Sequence, residues 1–195
     1  MSKSLSGMKI AILVSNGFNQ QDMTDTQKVM NSAGVSLKLI SPDQGLVNGW
    51  EGAGWGHHFA VDQQLSTALG ADFDGLIVPG GQRGLDKLKT TAHTRRFVNS
   101  FLTAQKPVVL FNDAIDLLGY AQQLSGRVVA GPEAMKDDVV AGGANWAEQS
   151  PVIDNNLYTG RVETEEERAA LVAGLLDFFL ANAPSVTEGE AKQAA

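Results

Sequence analysis

Short apolar runs alternate with amphipathic stretches of helical length along most of the chain. Lys9-Ile10-Ala11-Ile12-Leu13-Val14 is β-branched and almost continuously apolar, which predicts a strand covered on both faces. Residues 22–33 follow with Met23, Thr26, Met30 and Ala33 at helical spacing, and Gly34 stands where such a helix stops. A second strand is expected over 35–40, closed by the turn-forming Ser41-Pro42-Asp43. A third, 74–78, is cut off by Pro79-Gly80-Gly81. A helix over about 94–104 leads into a fourth strand, 107–111, and a further helix over about 113–124 comes straight after it.

The last third is more mixed. Val152-Ile153 and Leu157-Tyr158-Thr159 flank Asp154-Asn155-Asn156, the pattern of a β-hairpin on an Asx-rich turn. Thr164-Glu165-Glu166-Glu167 reads as a capping box, with three acids where the helix dipole favours them. The helix behind it carries Val172, Leu175, Leu176 and Phe179 on one face. Strands alternating with helices predict an α/β fold: a mainly parallel sheet, helices on both faces and a small β-hairpin addition. One domain over 8–181 is expected, with 1–7 and the small, polar 184–195 as flexible tails. Ligands gather at the carboxyl ends of such strands, so the loops at 16–19, 80–83 and 112–113 matter most.

Composition narrows the function. Zero cysteines among 195 residues remove disulfides, thiolate metal sites and any cysteine nucleophile. A net charge of −7 argues against a sequence-independent grip on nucleic acid or an anionic membrane. No apolar run approaches the ~20 residues that a membrane helix needs. The first eight residues lack the apolar stretch of a secretory signal, so a cytoplasmic protein is expected.

No P-loop is present, and the loop after the first strand has no run of hydroxyls and glycines to wrap a flavin phosphate. Gly52-Ala53-Gly54-Trp55-Gly56 mimics part of a dinucleotide fingerprint outside its strand–helix context, and reads as a flexible or hairpin loop. His57 and His58 are adjacent rather than spaced as metal pairs, and His93 sits beside Arg95 and Arg96 on an exposed helix start. Neither a cofactor nor a metal is expected.

A buried strand running into a helix with a polar corner, Phe111-Asn112-Asp113, has the layout of a nucleophile elbow. Around it the chain resembles the ThiJ/PfpI family of the class I glutamine amidotransferase-like superfamily. The resemblance is carried by 9–14 with Asn16-Gly17-Phe18, by 59–62, and by Asp72-Phe73-Asp74-Gly75-Leu76-Ile77-Val78-Pro79-Gly80-Gly81. It continues through Lys106-Pro107-Val108 with Leu117-Leu118, 136–146 and the hairpin at 152–161. It implies a flavodoxin-like three-layer sandwich and a homodimer or higher oligomer, to which Trp50, Trp55 and Phe59 are candidate contributors.

The resemblance also implies an elbow cysteine followed by histidine, and an acidic residue after the first strand. The matching positions are Asn112, Asp113 and Asn19. An amide has no ionisation comparable to a thiol's, so the family's peptidase, glyoxalase or repair chemistry is not expected. Asn tolerates the positive φ of an elbow, and Asp113 suits a first helical turn. The expectation is a retained polar pocket lined by Asn19, Gly80, Gly81, Asn112 and Asp113, with the two amides paired. Such a protein binds a small polar ligand or acts as a stress-related scaffold. The alternative is a hydrolase- or glyoxalase-like enzyme using Asp113 as nucleophile or base, with Asp22, His57 or Arg83.

Overall fold

The computed structural model describes residues 4–183. In chain order the strands and helices are β1 (Lys9–Leu13), β2 (Phe18–Asn19), α1 (Gln20–Ser32), β3 (Ser36–Ser41), β4 (Leu46–Glu51), β5 (Gly54–Ala60) and β6 (Gln63–Gln64). Then come β7 (Gly75–Val78), α2 (Gln82–Leu88), α3 (Ala92–Thr103), β8 (Val108–Phe111), α4 (Asp116–Tyr120) and β9 (Val128–Val129). The chain continues through α5 (Lys136–Ala141), β10 (Asn145–Trp146), β11 (Val152–Asp154), β12 (Leu157–Gly160), α6 (Glu165–Ala173) and α7 (Leu175–Asn182).

A seven-stranded sheet runs β11-β12-β8-β7-β1-β3-β6, parallel throughout except for the edge strand β11. Its five central strands, β3-β1-β7-β8-β12, have the flavodoxin-like order, with the switch point between β1 and β7. Alternate residues of β1 explain why the run is apolar throughout. Ile10 and Ile12 join Ile77, Val109 and Phe111 beneath α1, α6 and α7, while Ala11 and Leu13 join Leu76, Val78 and Leu110 on the face of α2 and α3. On α3, Phe97, Val98, Phe101 and Leu102 face the core at helical spacing, and Phe73, Phe97 and Phe101 meet edge to face.

Several expectations are corrected. The 152–159 hairpin forms, but β12 is no appendage: it pairs in parallel with β8 and carries the sheet outward. The helix expected over 113–124 opens with a 3₁₀ turn at Asn112–Ile115 and ends at Tyr120, because Gln122 takes a positive φ. The helix after Thr164 has its capping box but divides at Gly174, where the ring of Tyr158 lies against the missing Cβ. The 52–56 stretch is the hairpin rather than the flexible loop of its two readings, turning between β4 and β5, and helix α2 begins at Gln82 within the loop expected over 80–83. Within 1–7, Leu5 is buried and the Gly7 amide donates to Gly34 O; the expected tail at 184–195 lies outside the described residues. No helix among the described residues is long and apolar enough to cross a membrane.

Candidate functional site

The loops after β1, β7 and β8 converge at the carboxyl end of the sheet. Asn19 ends β2 and caps α1, its Oδ1 accepting from the Asp22 amide at 3.1 Å. Its own amide donates to Gly80 O at 2.7 Å, which ties the first loop to the turn after β7. Gly80 and Gly81 cannot carry side chains there. A Cβ on Gly80 would stand 2.7 Å from Asp113 Oδ1, and one on Gly81 would stand 2.7 Å from the Asn19 amide nitrogen. Gly81 also has φ +115°, a region that favours glycine.

Two carboxylates close on this turn from either side. The Gly80 amide donates to Asp22 Oδ2 at 3.0 Å, and the Gly81 amide donates to Asp113 Oδ1 at 2.9 Å. Asp22 is 1% exposed, and Arg168 on α6 donates from Nε to its Oδ1 at 2.9 Å. Burial outweighs the lowering by Arg168 and Gly80, and the charge of Asp113 adds to it, so the Asp22 pKa is pushed up to about 6. Burial also raises Asp113 above the ordinary carboxylate range, against the lowering by Gly81; the charges of Asp116 and Asp86 act in the same direction as burial.

Asn112 sits at the elbow with φ +51°, as expected of that corner. Its Oδ1 accepts from the Val162 amide at 2.9 Å. The paired amides are therefore corrected: Asn19 caps α1, Asn112 holds the loop after β12, and no hydrogen bond joins their side chains. The retained pocket is corrected too. Asn19, Gly80, Gly81 and Asp113 do come together, but the open cleft beside them, about 270 Å³, is walled by Asn19, Gln21, Trp50, Glu51, Gly52 and Arg168.

Asp22, named from the sequence only as a partner for Asp113, is the buried carboxylate that holds the Gly80 turn, a role that a lone acid in the first turn of α1 does not signal. Sequence spacing missed Arg168, 146 residues away. Of the partners considered for Asp113, Asp22 binds the adjacent amide of the same turn, whereas no hydrogen bond joins Arg83 or His57 to Asp113. Arg83 lies over the Trp50 ring at 4.3 Å, and the His57 amide donates to Gln20 Oε1 at 2.6 Å while its side chain is exposed. Trp55 is 57% exposed and meets Trp50 edge to face, whereas Phe59 packs on Phe18. Among the described residues no group of His, Cys, Asp or Glu is arranged to hold a metal ion.

Residues 8–172 match the DJ-1/PfpI family. The chain belongs to that family. A putative cysteine protease of Bacillus subtilis, YraA, is 28% identical over 160 residues, covering 82% of this chain and 92% of its own length. General stress protein 18 of the same species is 29% identical, covering 80% of this chain and 89% of its own. Among solved structures, a two-domain protein of Anabaena variabilis with DJ-1/ThiJ/PfpI-like and ferritin-like domains superposes with a TM-score of 0.80 at 22% identity. The match covers 91% of this chain and 50% of that protein. This DJ-1/PfpI domain has the family's fold, a positive φ at Asn112 and no cysteine.

Proposed function

We propose that this DJ-1/PfpI protein works without an elbow nucleophile and binds a small polar ligand in the cleft beside Asn19 and Arg168. The observation that carries this reading is Asn112. It occupies the elbow at φ +51° and spends its amide oxygen on the Val162 amide, a role in holding a loop rather than attacking a substrate. Asp113 is likewise spent on Gly81 N–H, and the charges acting most strongly on it are acidic. Neither feature supplies a thiolate or a base-activated hydroxyl.

The cleft supports binding by its makeup. A tryptophan, two amides, a carboxylate and a guanidinium converge in one concavity, the mixture that fixes small polar molecules. The reading extends to a homo-oligomer in the cytoplasm, since Leu46 and Trp55 on β4 and β5 leave more than half of their surfaces exposed. Light scattering at micromolar concentration tests the assembly, and a monomer sinks that part.

Function is tested in two arms on the full chain. Peptidase and glyoxalase assays are expected to give no turnover above buffer. Turnover that Asp113→Asn abolishes would overturn the reading and establish the Asp113 enzyme. In the second arm, small anions, amines, polyols and amino acids are titrated while Trp fluorescence is followed. Saturable binding that Asn19→Ala weakens is expected; no binding across the four classes rejects the ligand-binding reading.

A further inference from the structure

The bonding left open around the cleft is more specific than its polarity. Arg168 gives Nε to Asp22 and Nη1 to Glu165, and among the described residues Nη2 makes no hydrogen bond. Asn19 spends Oδ1 on the Asp22 amide and keeps its Nδ2 donors. On the acceptor side, Glu51 receives Gln20 Nε2 on Oε2 at 2.9 Å and has no cationic partner among the described residues. Gln21 spends Nε2 on both oxygens of Glu165, which leaves its Oε1. All four residues line the same cleft of about 270 Å³.

These groups divide into two kinds. Arg168 and Asn19 offer donors, one of them fully charged, and Glu51 and Gln21 offer acceptors, one of them fully charged. A simple anion would answer Arg168 but would lie near Asp22 and Glu165 and leave Glu51 unbalanced. A simple amine would answer Glu51 and leave the Arg168 and Asn19 donors without partners. A neutral polyol could accept from the open Nη2 of Arg168, whose charge Asp22 and Glu165 already answer, but would leave the Glu51 charge without a partner. One molecule carrying both a carboxylate and an ammonium answers both pairs.

We infer that the cleft takes a free α-amino acid as its zwitterion, carboxylate toward Arg168 and Asn19 and ammonium toward Glu51 and Gln21. The volume suits a single amino acid, and Trp50 supplies the apolar part of the wall. This rests on the reading of the cleft as a binding site and names the class of its ligand.

The test is calorimetric titration of the full chain at pH 7 with L-alanine, L-serine and L-glutamine, each up to about 10 mM, a range that reports millimolar affinity. N-acetyl-L-alanine, which lacks the cation, and L-alaninamide, which lacks the anion, are the controls. At least one free amino acid is expected to bind saturably. Both derivatives are expected to bind about tenfold more weakly or worse than L-alanine, a step of about 1.4 kcal/mol. Glu51→Gln keeps an acceptor for Gln20 and is expected to weaken the free amino acid while leaving N-acetyl-L-alanine unchanged. Gln21→Ala, at a half-exposed position, is the second variant.

A derivative that binds as tightly as its parent overturns the inference, as does loss of free amino-acid binding only in variants that also melt early. If another class of small molecule binds and Asn19→Ala weakens it, while no amino acid does, the inference fails and the binding reading stands. If nothing binds, both fail.

Discussion

Arg168 and Asp22 lie 146 residues apart in the chain, and Nε of the one stands 2.9 Å from Oδ1 of the other. The contact fastens α6 to the first turn of α1, and through Asp22 to the Gly80 amide at the end of β7. Three segments of the site meet on one carboxylate that is 1% exposed, paired with a guanidinium side chain that is 11% exposed. A buried pair of this kind costs most when one member is removed alone, because the remaining charge has no solvent to turn to.

Arg168→Met is therefore expected to lose about 3 kcal/mol of unfolding free energy in urea at pH 7.5. Asp22→Asn, which keeps one acceptor for either Gly80 or Arg168 and leaves an arginine still paired with Glu165, is expected to lose less. Combining the two should cost less than the sum of the single losses, with a coupling of at least about 1 kcal/mol. Strictly additive losses would mean that the pair contributes no coupling.

The pH dependence of stability follows from the same carboxylate. The Asp22 pKa stands at about 6 in the folded protein against 3.8 ordinarily, so between these values the folded chain holds a proton that the unfolded chain has released. Its contribution is fully present below the ordinary carboxylate value and is lost as pH rises through about 6. The slope approaches about 1.4 kcal/mol per pH unit inside that window. Asp43 works in the opposite sense. Bonds from Ser15 and Asn16 lower its pKa despite partial burial, so its contribution is present above the ordinary value and lost as pH falls through the folded one. Urea titrations from pH 4 to 8 on the parent and on Asp22→Asn separate the two. The difference between the curves should change between pH 4 and 6 and be flat above 7. A flat difference throughout would remove Asp22 as the titrating group.

Much of the fold is legible in the sequence because β1, β7 and β8, at the middle of the sheet, are buried on both faces and so are nearly unbroken apolar runs. Lys9–Val14 and 107–111 are of this kind, and parallel pairing follows from the helices between them, whereas the flavodoxin-like order is what the family resemblance implies. The β4–β5 hairpin is legible at its glycine-rich turn but not along its strands. Its inner face is built from Val47, Gly49, Gly56 and Phe59 around the Gln20 side chain, and two glycines and an amide give no alternation of apolar and polar residues. The elbow is legible at Asn112 because only a few residue types accept that backbone. The burial of Asp22 is not: Asn19 and Asp22 both suit a helix start, and only the approach of Gly80 and Arg168 distinguishes the cap from the buried carboxylate.

Asn112 combines a backbone role with a side-chain role, and two substitutions separate them. Asn112→Gly removes the bond to the Val162 amide and accepts φ +51° readily. Asn112→Ala removes the same bond and adds the cost of a Cβ in the left-handed region. Both are expected to destabilise, with alanine worse than glycine by about 1 kcal/mol. Thermal melts compared at one pH read the difference. Alanine equal to or better than glycine would show that the corner relaxes out of its elbow geometry, and would weaken the case that Asn is retained there for its backbone.

Gln20 links the cleft to the hairpin. Its side chain fills the gap that Gly49 and Gly56 leave at the bulge between β4 and β5, with Oε1 accepting from the His57 amide and Nε2 donating to Glu51. Gln20→Ala removes the side-chain acceptor of the His57 amide and empties the space around it. A loss of about 2 kcal/mol is expected, concentrated in the hairpin. Amide exchange should quicken along β4 and β5 while β1 and β8 keep their protection, and the Trp50–Trp55 pair should report a redder, more solvated emission. Gln20→Glu keeps the acceptor for His57 but sets a second carboxylate against Glu51. At pH 7 its hairpin should therefore exchange faster than the parent's. A Gln20→Glu hairpin that exchanges no faster than the parent's at the same pH would mean that the Gln20–Glu51 contact does not hold the strand, and that the glycines alone shape the bulge.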